Sequence, residues 1–209
     1  KVGKELDSLT DVISFGVAPS FIMYFWSINE MGKIGWLFVL VYTVCCALRL
    51  ARFNLTNINE EESWKINFFE GVPSPAAAGL VLLPLILSLS NINDLLNLNG
   101  LIQFLNLDNI FKIENVKIIS SIIIIVISIL MVSKVPTYSL KRIAIPRRLG
   151  GFLLLGIGTY ISALIFFTFE ILFLTGLVYV SLIPISYFHY KHLNKKSSKI
   201  QEDEVEDIL

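Results

Sequence analysis

The stretch Lys1-Val-Gly-Lys-Glu-Leu-Asp-Ser-Leu-Thr-Asp11 decides how the chain is read. Gly3, Asp7 and Asp11 follow one another at spacings of four. On an α-helix each step of four turns about 40° past a full circle and rises about 6 Å, so the three share one stripe. Glu5 lies outside that stripe, because a step of two residues is about 200° round the helix. Residues 12–29 follow without a charge and are rich in Phe, Ile and Trp, the composition of a membrane span. Two carboxylates and a glycine therefore line the mouth of a transmembrane helix. A carboxylate costs about 2.5–3.5 kcal/mol at mid-span and less near the interface, so it is expected to serve a partner. A divalent cation suits the place, since it takes oxygen ligands and offsets the charge. The glycine, having no Cβ, lets another helix or a bulky ligand come close to the backbone.

The rest of the chain has the same character. Of 209 residues 55% are hydrophobic and 16% charged, and the mean hydropathy is +0.71, which excludes a soluble domain of ordinary composition. Uncharged runs recur at residues 12–29, 34–48, 72–90, 118–133, 149–169 and 171–188. Most approach the roughly 17–25 residues that a spanning helix needs. The run 118–133 is short, but Lys117 and Lys134 flank it and can extend their amines outward. The expected fold is all-α, a polytopic transmembrane helical bundle with about six spans. The least marked boundary is that of the last two spans, where only Glu170 interrupts the apolar sequence. Residues 1–190 are expected to form the membrane domain and 191–209, basic and then acidic, a disordered tail. Residues 91–115 carry apolar positions at helical spacing between Asn and Asp, which predicts an interfacial amphipathic helix. Cys45 and Cys46, adjacent inside a span, read as small packing residues and not as a disulfide or metal pair.

Positive charge sets the orientation. With the N-terminal end cytoplasmic, the inner loops hold all of the 17 basic residues except Lys33, Lys112 and Lys117. The positive-inside rule then places both ends of the chain in the cytoplasm. Arg49 and Arg52 are three apart on one helix face, with Arg49 inside the apolar run and level with Asp7 and Asp11. A guanidinium fork suits phosphate or carboxylate, and the competing reading is a pair of cytoplasmic anchors. Pro73 and Pro75 make a stiff entry to the third span, and Ala76 to Gly79 give it a thin face for close packing. No nucleic-acid partner is expected.

Gly-x-x-x-Asp-x-x-x-Asp is similar to the second half of the signature of CDP-alcohol phosphatidyltransferases, whose first half reads Asp-x-x-Asp-Gly-x-x-Ala-Arg. The longer run Glu5-Leu-Asp-Ser-Leu-Thr-Asp-Val-Ile-Ser-Phe-Gly-Val-Ala-Pro19 resembles the phosphatidylserine synthases within that family. So do Ala47-Leu-Arg-Leu-Ala-Arg-Phe-Asn54 and Gly71-Val-Pro-Ser-Pro-Ala-Ala-Ala78, and, less closely, residues 131–141. The chain opens on Lys1 inside the motif, so it is expected to lack the upstream helix with two further carboxylates.

The resemblance implies a reaction: CDP-diacylglycerol and L-serine give phosphatidylserine and CMP. It implies Asp7 and Asp11 as metal ligands, Asp11 also as the general base, and two divalent ions, Mg2+ or Mn2+. Gly3, Arg49, Arg52 and Lys141 are the substrate-binding candidates. It further implies a multi-pass protein of the cell (inner or plasma) membrane with a cytoplasmic active site, and a homodimer as a conceivable assembly. Glycerol phosphate or inositol is the alternative acceptor. Two rivals stay open: a transporter using Asp7 and Asp11 as an ion site, and a structural protein whose carboxylates only cap the first helix. The transporter reading is weakened because the charges gather at one membrane face and not at mid-span.

Overall fold

The computed structural model describes residues 2–55, 68–90, 113–138 and 150–206. The expected interfacial helix at 91–115 and Lys141 lie wholly or mostly outside these residues. Helix α1 (Val2–Val12) passes through a π-helical turn at Ile13–Val17 into α2 (Ala18–Met23), then through a second π-helical turn at Tyr24–Ile28. Pro19 explains the first irregularity. It has no N–H to give the carbonyl of Phe15 four residues back, and the Tyr42 hydroxyl donates to that oxygen instead, at 3.0 Å. The Ser20 hydroxyl donates to Gly16 O at 2.8 Å in the same turn. A turn at Gly32 reverses the chain into α3 (Lys33–Leu55).

The next expected span is broken. It begins at α4 (Ser74–Val81), stops at Leu82 and resumes as α5 (Leu83–Leu89). Pro84 is the reason, since it cannot donate to Leu80 O. Helix α6 (Ile113–Val132) then packs along α3, and α7 (Gly150–Phe166) folds back on α8 (Thr168–Glu206). The hairpin between the last two helices falls at Phe167, three residues before Glu170, and a Tyr160–Thr175 hydroxyl contact of 3.3 Å joins its arms. The α8 backbone shows no break at residue 190, so the stretch expected to be a disordered tail is helical to Glu206. No Gly or Pro follows Pro184 to stop it, and Lys, Gln and Glu are good helix formers.

Two short strands depart from an all-helical plan. β1 (Phe68–Glu70) and β2 (Pro136–Tyr138) pair antiparallel, with Phe68 opposite Tyr138 and Glu70 opposite Pro136. They close one end of the bundle.

Met23, Ile28, Tyr42, Cys46, Val81, Ile124 and Met131 form the core between the first six helices. Cys46 packs against Gly16, where a Cβ would lie 3.2 Å from Cys46 Cβ. Both cysteines are free thiols, as expected of packing residues. Apolar side chains also cover the outside: Phe152 and Phe166 are 76% and 77% exposed. Among the described residues three helical stretches, Glu5–Met31, Lys33–Asn54 and Thr168–Lys191, are long and apolar enough to cross a membrane. Two shorter apolar helices, Val116–Val132 and Gly150–Phe166, accompany them. An outer surface this apolar is stable only against lipid, so this is an integral membrane protein of helical type.

Candidate active site

One end of the bundle holds Asp7, Asp11, Arg49 and Arg52. Asn54 donates to Ser8 Oγ at 2.8 Å, and Gly16 meets Cys46 further in, so α1 and α3 run antiparallel in a fixed register. In that register Asp11 stands level with the turn of α3 that carries Arg49 and Arg52. Asp7 is exposed and Asp11 half-buried. Asp11, Arg49 and Cys45 all act electrostatically on the Cys46 thiol, which Ser74 also neighbours.

Glu5, Ser8, Leu9 and Val12 line a cleft with Ala47, Leu50, Ala51 and Asn54. That is the other side of α1, so the Asp stripe points away from α3, as the helical geometry required. Nothing lies within 4 Å of where a Gly3 Cβ would be. The stripe is open, able to receive a ligand or another helix.

The two arginines differ in their surroundings. Arg52 Nη1 donates to Val132 O at 3.0 Å, and its Nη2 to Glu70 O and Ser133 O at 3.4 and 3.5 Å, with the Glu70 carboxylate 3.6 Å away. It caps the C-terminus of α6, where carbonyls lack helical partners and a cation is favoured by the dipole. Arg49 is only 9% exposed. Its Nη1 donates to Ser74 Oγ at 3.1 Å, while its Nε is buried without a partner. The Glu70–Gly71–Val72 turn brings Ser74 there. Gly71 has φ 73°, its N–H donates to Val135 O at 2.8 Å, and Thr137 Oγ1 donates to its carbonyl at 2.9 Å. A Cβ at Gly71 would come within 2.7 Å of Met131 O.

Ser74, Thr137 and Tyr179 were not singled out from sequence. Ser74 sits inside the Gly-Val-Pro-Ser-Pro run and could have been found there; Tyr179, in an apolar helix far along the chain, carries no local signal.

Could these residues hold a metal? Among the described residues no group of three His, Cys, Asp or Glu could enclose an ion. Mg2+ asks for less, binding through one or two carboxylates with water and substrate phosphates completing the shell. Asp7 and Asp11, one turn apart on an open stripe, fit that mode.

The family model for CDP-alcohol phosphatidyltransferase matches residues 1–187, and the chain belongs to that family. Members of the family are generally dependent on divalent metal. Among relatives named CDP-diacylglycerol–serine O-phosphatidyltransferase, that of Helicobacter pylori (strain ATCC 700392 / 26695) is 48% identical over 88 residues, 42% of this chain and 35% of that protein. The Mycobacterium leprae protein is 42% identical over 90 residues, covering 43% of this chain and 30% of its own length. The Bacillus subtilis protein is 38% identical over 91 residues, covering 44% and 48%. The matched stretches thus span less than half of these relatives.

Proposed function

We propose that this protein transfers the phosphatidyl group of CDP-diacylglycerol to L-serine, releasing CMP. The observation that carries the reading is that one end of a membrane bundle holds an open Asp7–Asp11 stripe and, at the same level on α3, a buried Arg49 without a carboxylate partner among the described residues. Family membership gives that pairing its chemistry.

Asp7 and Asp11 would hold a divalent ion, Mg2+ or Mn2+ and two ions by the family pattern, which neutralises pyrophosphate charge when bound. Asp11, the more sheltered carboxylate, takes the proton of the serine hydroxyl. The serine oxygen forms a bond to the phosphorus that bears diacylglycerol. The bond from that phosphorus to the CMP oxygen breaks, and CMP leaves with the electron pair. Gly3 leaves room on the stripe for the cytidine nucleotide. Arg49 binds the acceptor, Arg52 holds the frame around it, and Lys141 is a candidate contact for substrate phosphate. A hydroxyl needs this help because its pKa lies far above neutrality.

About six spans, both ends cytoplasmic, and residence in the plasma membrane complete the reading, supported by the charge distribution of the loops. The outer faces of α7 and α8 have room for lipid and for a second copy in a homodimer. The test is an acceptor panel: CMP release from CDP-diacylglycerol by the full-length protein with serine, glycerol phosphate or inositol. Serine is expected to give the fastest release. A better rate with another acceptor would move the protein within its family, and no release with any would remove the activity.

A further inference from the structure

Arg49 lies on the inner face of α3, where it continues the buried stripe Val39, Tyr42 and Cys46 at helical spacing. A cytoplasmic anchor would instead run its stem outward and leave its head in water. A buried cation is costly without a counter-charge, and Arg49 has none among the described residues. Its guanidinium is held at one nitrogen, by the Ser74 hydroxyl that accepts from Nη1 at 3.1 Å. Nε is buried without a partner, while Nη2 makes no hydrogen bond among the described residues and is not fully enclosed. These two nitrogens form one edge of the planar group. Their parallel N–H bonds suit two oxygens of a carboxylate or a phosphate.

We infer that Ser74 is the positioning residue for Arg49, holding the guanidinium so that its Nε–Nη2 edge is presented to a substrate oxyanion. This rests on the reading above, in which Arg49 binds the acceptor. Ser74 is buried and opens α4 between Pro73 and Pro75, whose rings fix their own φ. Just upstream, the Gly71 N–H donates to Val135 O, Thr137 Oγ1 donates to Gly71 O, and the Val72 N–H donates to Leu130 O at 3.4 Å. The segment is thereby tied both to the end of α6 and to β2. Arg49 stands on another helix, and the hydrogen bond carries the rigidity of this turn to a long, flexible side chain. A guanidinium already ordered loses less freedom when the anion arrives, so the contact favours binding more than the chemical step.

The experiment is a double-mutant cycle on the full-length protein in CDP-diacylglycerol vesicles. It takes wild type, Ser74→Ala, Arg49→Lys and the two together, with kcat and KM measured for serine and for CDP-diacylglycerol. Ser74→Ala should raise the serine KM about tenfold, the scale of one hydrogen bond to a charged group, and leave kcat nearly unchanged. In the Arg49→Lys background the same substitution should add little, because the fork that Ser74 positions is gone. A Ser74 that merely packs the turn would give the same loss in both backgrounds, and that result overturns the inference. So does a Ser74→Ala variant with both KM values unchanged. A rise confined to the KM of CDP-diacylglycerol overturns the acceptor reading of Arg49 while leaving Ser74 as the residue that positions it. If wild type itself releases no CMP with any acceptor, the reaction reading fails, and the inference falls with it.

Discussion

Asp7 and Asp11 owe their proposed role to charge, so a substitution that keeps shape and removes charge is the sharp probe. Asp7→Asn and Asp11→Asn should each lower CMP release by roughly 10²–10⁴-fold, the scale of a lost general base or metal ligand. Neither should disturb folding, because one side chain is exposed and the other half-buried at the bundle end. Size-exclusion profile and melting temperature in detergent check that half of the expectation; wild-type turnover in both variants would remove the assignment. Arg49 asks for a different test. Arg49→Lys keeps the charge but loses the planar fork and the Ser74 contact, so the serine KM should rise by about tenfold or more. An unchanged serine KM would make Arg49 a topological anchor after all.

At the level of elements, the turn from β1 into α4 sets the position of Ser74. Gly71 cannot carry a side chain there: its φ is 73° and its virtual Cβ meets three carbonyls of the α6 terminus, Leu130, Met131 and Ser133. Gly71→Ala should therefore destabilise the fold by about 1–3 kcal/mol, seen as a lower melting temperature. Gly3→Ala, with open space around it, should leave the melting temperature unchanged and, on the proposal that this space receives the nucleotide, slow turnover. Equal stability losses in the two would show that the turn is not the constraint it is taken to be. How legible this was varies by residue. Uncharged runs foretold the long helices, and the four-residue spacing of Gly3, Asp7 and Asp11 foretold the stripe, because both are periodic and local. The interruption at Leu82 is readable from Pro84, which lies inside the uncharged run. The β1–β2 ribbon was not readable, since three-residue strands hold no pattern and their pairing joins residues far apart in sequence. Nor was the role of Arg52: from sequence it looked like a partner of Arg49, and only the fold shows it capping α6.

For the whole molecule, the loop charges predict which side of the membrane the site faces. In a background carrying Cys45→Ala and Cys46→Ala, single cysteines at Lys33 and Lys134, both exposed, report on opposite ends. In intact cells Lys33→Cys should react with an impermeant thiol reagent and Lys134→Cys should not; the reverse would invert the topology. The expected result would put the acidic stripe, Arg49 and the β1–β2 ribbon on the cytoplasmic side, where the proposed reaction needs CDP-linked lipid and amino acid to meet. The most direct test follows labelled serine into lipid. Full-length protein in CDP-diacylglycerol vesicles should incorporate serine into the lipid phase with one CMP released per serine, and both signals should vanish on chelation of divalent metal and in Asp11→Asn. Serine that stays in the aqueous phase while the vesicles hold intact CDP-diacylglycerol and metal would contradict the account.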